Sequence, residues 1–315
     1  MSDIRIGIIG AGYIASKHLE VIDQIKGLKV IGITSRTLSK AKKMAKKYNI
    51  NNVYNNYQEL IKNNQLDGIL ILVSAEQVYS VSTKIIPYKI PLFIEKPPGL
   101  NFKEIKKIYE KAKKYKCKNM VGFNRRYLSI FNKGLKIINN KGGLLGILIE
   151  GHERFWKIKN IITKKNRKNY LFSNSCHTID LLRFFGGDIK KVYINKHSLI
   201  EKYGDQFSIS LRFNNDILGT YIANWYSPGG WSVKLFGNGV TVQFQPLEEG
   251  IWYDKDMTPH KIKPNKEDLI YKPGFYNQMI GFKNLLSKGS LKFPGQDLES
   301  IYQTYKLINR ISNEQ

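Results

Sequence analysis

One lysine stands out in the sequence because its setting could support chemistry. Lys96 lies within the sequence EKPP at Glu95–Pro98 and follows a short apolar run, Pro91–Ile94, that is typical of a buried β-strand. In an open α/β sheet the carboxyl ends of the strands line the crevice where ligands bind, and Lys96 would emerge there. Its ammonium could orient a substrate oxygen, or exchange a proton with it if burial lowers the lysine pKa. Alternatively, these residues form only a charged turn.

A glycine motif, GAGYIA at Gly10–Ala15, follows an apolar run directly and precedes a helical pattern. A GxGxxA motif in this context is typical of dinucleotide binding. Gly10 allows the tight turn, Gly12 allows the backbone to approach the diphosphate, and a helix N-terminus favours its negative charge. We therefore expect these glycines, with Tyr13 and Ile14, to bind a nicotinamide dinucleotide. The alternative is a glycine turn without a nucleotide.

The residues after the second apolar run, Leu28–Thr34, bear on the choice between NAD and NADP. A site that prefers NAD usually has Asp or Glu at this point to bind the ribose hydroxyls, whereas this sequence has Ser35 and Arg36. Arg36 could pair with the 2′-phosphate of NADP. The sequence therefore predicts NADP or NAD, with a slight preference for NADP. Alternatively, Arg36 is a solvated residue before a helix.

A parallel sheet would position these motifs, and the first 120 residues have its pattern. Short apolar runs alternate with helical periodicity, which predicts strands joined by crossover helices in a doubly wound sheet. The predicted strands are Ile4–Ile9, Leu28–Thr34, Gly68–Val73, Pro91–Ile94 and Met120–Val121, with a modest helix at Ser82–Ile86. We predict an α/β protein whose residues 1–122 form an NAD(P)-binding Rossmann domain.

After about Asn124 the pattern changes to alternating polar and apolar residues. Phe207 to Phe213 and Leu218 to Asn224 are examples, and such alternation is typical of antiparallel sheets. Helices are predicted near His177–Phe185 and at about Asp297–Ile311. We therefore predict a second, α+β domain at residues 123–315.

The composition restricts the classes of partner. The chain has 51 Lys+Arg against 25 Asp+Glu, a net charge of +26 that would attract anionic ligands. The lysines are spread along amphipathic helices without interleaved aromatic residues, which favours a solvated basic face over nucleic-acid binding. No apolar run reaches the roughly 20 residues of a membrane span, and the two cysteines suggest neither a disulfide framework nor a metal cluster. We expect a soluble, cytoplasmic protein with no metal, nucleic-acid or membrane partner.

Four motifs together resemble the Gfo/Idh/MocA family of sugar and inositol dehydrogenases, and the resemblance covers nearly the whole chain. They are GIIGAGYIASKH near the start, IEKPPGLN at 94–101, VGFNRRY at 121–127 and CHTIDLLRFFGGD at 176–188. The resemblance implies an N-terminal Rossmann domain followed by a domain with a large, open, mostly antiparallel sheet. That sheet often forms the family's oligomer interface, which implies a homodimer or homotetramer.

The resemblance also implies two catalytic residues. Lys96 matches the family's catalytic and substrate-orienting lysine, and His177 matches the acid/base histidine that opens the later helix. The ordinary histidine pKa near neutrality suits a group that takes or returns the hydroxyl proton as hydride moves. A lone histidine at a helix start is more often structural.

Further binding residues follow by position. Ser74, Glu95 and Lys96 are expected at the cofactor, although Ser74 lies in a turn that differs from the family's usual Thr-Pro-Asn. Asn124, Arg125 and Arg126 are expected at the substrate, since an arginine can donate two hydrogen bonds to a phosphate or carboxylate. One of the two arginines could instead form an interdomain ion pair.

One departure from the family pattern affects the substrate. Many members carry Asp four residues before the catalytic histidine, where this chain has Ser173, which can form hydrogen bonds but carries no charge. This favours members with a modified site, including those that act on phosphorylated or nucleotide-linked sugars. Asp180, one turn after His177, is either a substrate ligand or a cap or ion-pair partner of Arg183.

These observations predict an NAD(P)-dependent enzyme that transfers a hydride at a hydroxyl or keto carbon of a small sugar derivative, in surface-carbohydrate or sugar metabolism. Two alternatives stay open. One is a reductase of a non-sugar carbonyl or imine-like bond, since a fold does not decide the substrate. The other is a non-catalytic dinucleotide-binding regulator, against which the presence of both Lys96 and His177 argues.

Overall fold

The computed structural model describes residues 3–314. The strands are β1 (Ile4–Ile9), β2 (Leu28–Thr34), β3 (Val53–Tyr54), β4 (Gly68–Ile71), β5 (Leu92–Ile94), β6 (Asn119–Val121), β7 (Leu144–Gly151), β8 (Ile189–His197), β9 (Gln206–Phe213), β10 (Leu218–Asn224), β11 (Trp231–Gly237), β12 (Val240–Phe244), β13 (Gly250–Tyr253) and β14 (Pro259–Ile262). The α-helices are α1 (Tyr13–Ile22), α2 (Leu38–Lys47), α3 (Tyr57–Lys62), α4 (Ala75–Ile85), α5 (Phe102–Tyr115), α6 (Ser129–Lys141), α7 (Phe155–Ile158), α8 (Lys164–Lys168), α9 (Cys176–Gly186), α10 (Lys266–Ile270), α11 (Phe275–Lys288) and α12 (Leu298–Asn313). Short 3-10 turns lie at Ile86–Tyr88 and Asn124–Tyr127, and a π-helical stretch spans Leu171–Ser175.

The first unit is built on a parallel sheet with the strand order β3-β2-β1-β4-β5-β6 among the described residues. The order reverses between β1 and β4, and this reversal is where doubly wound sheets bind ligands. Strands β4 and β5 are fully buried apolar runs, as expected when helices cover both faces of a sheet. The predicted doubly wound α/β sheet is confirmed. Helix α4, however, begins at Ala75 rather than at the predicted Ser82.

The structure corrects the predicted domain division. The first unit ends at Tyr127 and also includes Ile270–Gln303, whereas the second comprises Leu128–Leu269 and the segment from Thr304. The sequence pattern predicts a single break, between residues 122 and 123. The reason is α11, which packs against α1 and β1 and places Met279, Phe282 and Leu285 in their core. An amphipathic pattern does not tell which sheet its apolar side will cover.

The second unit contains a sheet with the order β14-β13-β12-β11-β7-β10-β9-β8 within residues 3–314. Its neighbouring strands are antiparallel except for β7 and β10, so the predicted, mostly antiparallel sheet is confirmed. Tyr221, Ile149 and Val233 lie side by side in register and are fully buried. Helix α9 packs against β7 and β10, and α6 packs against β11 and β12.

The opposite face of the same sheet is exposed. Tyr193 of β8, Leu218 of β10, Phe236 of β11 and Ile251 of β13 all lie on this face by strand register, and each is a large apolar residue open to solvent. The predicted alternation of β10 is therefore present, but its larger aliphatic side chains point away from the core. No helix within residues 3–314 is long and apolar enough to span a bilayer.

Candidate active site

A cleft of about 570 Å³ lies in the first unit at the carboxyl ends of β1, β2 and β4. The cleft is lined by five of the predicted cofactor residues, namely Gly10, Gly12, Ser35, Arg36 and Ser74. The structure therefore brings together residues from three separate strand ends, at the reversal of strand order. Tyr13 and Ile14 follow in the first turn of α1, where Tyr13 is exposed and Ile14 packs partly into the core.

The glycine turn fits a dinucleotide diphosphate. Gly10 has a φ of +117°, and a Cβ there would lie 2.3 Å from the carbonyl oxygen of Leu72, so only glycine is accommodated. Gly12 caps α1, and apart from its own chain neighbours no atom of the described residues lies within 4 Å of where its Cβ would be. No side chain caps this helix, and no acidic residue occupies its first turn. The helix N-terminus is thus accessible to an anion.

The charge of the cleft is positive. Arg36, Lys40 and Lys84 line it, and the lining residues of the described chain include no Asp or Glu. Arg36 itself is exposed rather than held against the protein. Such a cleft suits the phosphates of a dinucleotide, since arginine and lysine both pair with phosphate oxygens.

Lys96 is the second residue after β5 and is partly buried, and its peptide bond to Pro97 is cis. The neighbouring Glu95 is buried, with 6% of its surface exposed. One carboxylate oxygen of Glu95, Oε2, accepts the backbone N–H of Lys96 at 2.9 Å, and the other, Oε1, lies 2.9 Å from Nε2 of His18. We expected Glu95 at the cofactor. In the structure, both of its oxygens bond within the protein and fix the backbone from which Lys96 departs.

His18 is a residue for which the sequence analysis assigned no role. It is fully buried on α1, with ring centroids 5.0 Å from Phe93 and 4.7 Å from Phe275. A polar side chain among the apolar positions of α1, beside Ala15 and Leu19, is the sequence signal that could have identified it. Burying an imidazole and a carboxylate is costly unless they bond to each other. His18 therefore belongs to the structural support of Lys96.

The residues of the NRRY turn, Asn124–Tyr127, differ in their burial. Asn124 and Arg126 are buried, whereas Arg125 is partly exposed. Asn124 Nδ2 donates to the carbonyl oxygen of Pro273 at 3.1 Å, which ties this turn to the segment before α11. Of the two arginines, Arg125 is the better placed to meet a ligand.

His177, in the second unit, is the second residue of α9 and is buried, with its ring centroid 5.9 Å from that of Trp231. The preceding π-helical stretch contains Ser173, which is partly exposed. A carboxylate that the sequence analysis missed, Glu153, reaches this stretch. It accepts hydrogen bonds from Ser175 Oγ at 2.8 Å and Asn174 Nδ2 at 3.1 Å. The Glu153 carboxyl thus helps to hold the stretch that contains Ser173 in place.

Asp180 faces the protein interior. It is buried and accepts a hydrogen bond from Thr304 Oγ1 at 3.0 Å. Thr304 Oγ1 in turn accepts from Arg183 Nη1 at 3.2 Å, while Arg183 Nη2 pairs with Asp188 at 2.6 Å. The contacts of Asp180 therefore stabilise α9 against α12. The described residues contain no group of three or more His, Cys, Asp or Glu that could hold a metal ion.

Comparison with protein-family models identifies both parts of the chain. Residues 4–123 match the Gfo/Idh/MocA oxidoreductase model with its NAD-binding Rossmann fold, and residues 150–243 match a C-terminal domain of the same family. The chain belongs to the Gfo/Idh/MocA family. It is a nicotinamide-dependent oxidoreductase, as the sequence predicted.

Similar proteins include a myo-inositol 2-dehydrogenase of Thermotoga maritima, 25% identical over 75% of this chain and 73% of that protein. Among solved structures, an oxidoreductase of Agrobacterium radiobacter in complex with NAD+, L-tartaric acid and magnesium is 15% identical. It has a TM-score of 0.82 over 98% of this chain and 94% of its own. A UDP-N-acetylglucosamine 3-dehydrogenase of Acidithiobacillus ferrooxidans, also 15% identical, has a TM-score of 0.79 over 99% and 97%. At these identities the two structures show a common fold.

Replacing His18 by Ala should destabilise the first unit, because the buried Glu95 carboxylate would lose a partner. We expect the free energy of unfolding to fall by about 3 kcal/mol, in the range found when one partner of a buried pair is removed. Urea unfolding followed by circular dichroism measures this loss. His197→Ala, at an exposed position of β8, is the control and should change the free energy by less than about 0.5 kcal/mol. Equal stability of the two variants would contradict the supporting role of His18.

Proposed function

We propose that this oxidoreductase transfers a hydride between NAD(P) and a hydroxyl or keto carbon of a sugar derivative that carries a phosphate or nucleotide group. We further propose a role in surface-carbohydrate biosynthesis. The observation that carries the proposal is the positive dinucleotide cleft of the first unit, followed at the end of β5 by Lys96 on its fixed backbone. The myo-inositol and UDP-sugar dehydrogenases among the similar proteins support a polyhydroxylated substrate. The cytoplasmic location stays a prediction.

In the proposed reaction two side chains act on the substrate. When bound, the nicotinamide supplies or accepts the hydride. The Lys96 ammonium donates a hydrogen bond to the reacting oxygen and so holds it in place. A ring nitrogen of His177 takes the hydroxyl proton during oxidation and returns it during reduction. The burial of His177 beside Trp231 supports this role, because a site with little water favours directed proton transfer.

The surroundings of Ser173 support a substrate other than a simple polyol. Where many relatives carry Asp, this chain has a neutral hydroxyl, and the nearby Glu153 is engaged by Ser175 and Asn174. With no carboxylate at residue 173, repulsion of an anionic substrate is smaller. Together with the partly exposed Arg125, this supports a substrate with a phosphate group.

For the cofactor we propose NADP over NAD. Arg36 lies at the end of β2, where an NAD-preferring site usually has an acidic residue, and Lys40 lies one turn further on α2. Both are exposed and line the cleft, so they could pair with a 2′-phosphate.

We also propose a homodimer or homotetramer formed through the exposed face of the eight-stranded sheet described above. Tyr193, Leu218, Phe236 and Ile251 share this face and remain exposed, and a second copy of the chain would bury them.

The function is tested by screening sugar phosphates and nucleotide sugars with NAD and NADP, with turnover measured by the absorbance of the reduced nicotinamide. On the substrate found, Lys96→Met should lower kcat/KM by about 100-fold or more, since the oxygen loses its donor. His177→Ala should also lower kcat/KM, because the group that exchanges the hydroxyl proton is lost. Lys103→Met, exposed on α5, is the control and should retain activity. Wild-type turnover by Lys96→Met would refute the catalytic assignment.

Replacing Arg36 by Ala should weaken NADPH binding by about tenfold or more, because one charge-assisted pairing with the 2′-phosphate is lost. Binding of NADH should change much less. Quenching of protein fluorescence by each cofactor measures both affinities, and Lys42→Ala, exposed on α2 outside the cleft, is the matched control. An equal loss of affinity for both cofactors would argue against recognition of the 2′-phosphate.

The assembly is tested by placing a charge on the exposed sheet face. Leu218→Glu should shift the protein toward a monomer, because burying a carboxylate in an apolar interface is costly. Light scattering after gel filtration gives the mass. Ile161→Glu, at an exposed position before α8, is the control and should keep the wild-type mass. A wild-type protein that is already a monomer would rule out this proposal.

A further inference from the structure

The segment that precedes α11 holds a lysine, Lys272, in a fixed place within the first unit. The next residue, Pro273, accepts the hydrogen bond from Asn124. Gly274 has a φ of +82°, and a Cβ there would lie 2.2 Å from the carbonyl oxygen of Asn124. The backbone therefore passes directly against the NRRY turn, and only glycine permits this approach. The position of Lys272 is thus set by a turn that also carries Arg125.

The ammonium of Lys272 lies over two aromatic rings. It is 5.5 Å from the ring centroid of Tyr13 and 4.9 Å from that of Phe275. Tyr13 directly follows Gly12 of the dinucleotide turn, and Phe275 contacts His18 beneath Lys96. Aromatic faces attract cations, so these two rings hold the ammonium close to the cofactor turn and to the end of β5.

The surroundings of Lys272 carry an excess of positive charge. Burial lowers the pKa of Lys272, and the charges of Arg125, Lys96 and Lys17 lower it further, while Glu95 acts in the opposite direction. Glu95 already accepts the Lys96 N–H and bonds to His18. Because these positive charges repel one another, an anion bound beside Lys272 would lower the electrostatic energy. Lys17 is a lesser contributor, since it pairs with Glu20 at 2.8 Å.

We propose that Lys272 is an anion-binding residue of the active site and that, together with Lys96 and Arg125, it binds the phosphate or carboxylate group of the substrate. This inference rests on the proposed function for the identity of the reaction, although the anion site can be tested without turnover. Lys272 would then select anionic over neutral substrates.

A second anion is also near Lys272 when the cofactor is bound. This anion is the diphosphate of the dinucleotide, because Tyr13 adjoins the glycine turn. The experiment therefore measures two affinities separately. The variants are Lys272→Met, which removes the charge, Lys272→Arg, which keeps it, and Lys288→Met, an exposed control at the end of α11. Circular dichroism of each variant confirms its folding.

The first measurement is thermal melting of the NAD-saturated protein in inorganic phosphate and in chloride at equal ionic strength. Phosphate should raise the Tm of the wild type, of Lys272→Arg and of Lys288→Met. The apparent Kd for phosphate should rise about tenfold or more in Lys272→Met, as expected for one lost charge-assisted contact. Absence of a phosphate effect in the wild type, or an equal effect in Lys272→Met, overturns the proposal.

The second measurement is the Kd for NADPH by fluorescence. This Kd should be the same in Lys272→Met and in the wild type. A weakened NADPH affinity with an unchanged phosphate effect would identify the diphosphate as the anion and overturn the assignment to the substrate. If this inference fails, the proposed hydride transfer is still tested separately by the activity of Lys96→Met. Conversely, a failed substrate screen leaves the phosphate result standing.

Discussion

The hydrogen bond between the buried side chains of His18 and Glu95 is the constraint on which the candidate active site depends. An imidazole and a carboxylate are costly to bury, and here each compensates the other at 2.9 Å. The second oxygen of Glu95 holds the backbone of Lys96, while Phe93 and Phe275 enclose the imidazole. Helix α1, strand β5 and helix α11 therefore each contribute a side chain to the packing around the residues that hold Lys96.

Electrostatics adds a second constraint on the first unit. Arg36, Lys40 and Lys84 line the dinucleotide cleft, and the ammonium of Lys272 lies over the ring of Tyr13, next to the glycine turn. The high net charge of the chain is thus more than a solvated basic surface, because part of it is gathered where phosphate groups are expected. Lys272 in particular is placed by packed backbone, through the contact between Gly274 and Asn124.

The sequence predicted those features whose signal is local. The strands β1, β2 and β5 are short, mostly apolar runs. Lys96 and the glycine turn lie at the ends of such runs, where ligand sites are expected. Helix α4 was only partly predicted, because its first turns have no continuous apolar side. The alternation in β10 does not predict which of its two faces is buried. In the structure Tyr221 lies in the core, whereas Leu218 is exposed.

The remaining site residues depend on contacts between distant positions. His18 and Glu95 are 77 residues apart, and Glu153 meets Ser175 across 22 residues. Nothing near these residues in the sequence specifies their partners. Lys272 is one of many lysines, and only the packing of α11 on the first unit distinguishes it from a surface charge.

Because Ile270–Gln303 belongs to the first unit, the two units cannot be separated by a single cut in the chain. Expressed alone, residues 1–122 would lack Met279 and Phe282 and would expose the side of β1 and α1 that these residues cover. A transplant of the dinucleotide-binding half onto another member of the family would therefore need two separate stretches of chain. Recombination at a single crossover point after Tyr127 would instead complete the core of the first unit with Met279 and Phe282 of the other parent.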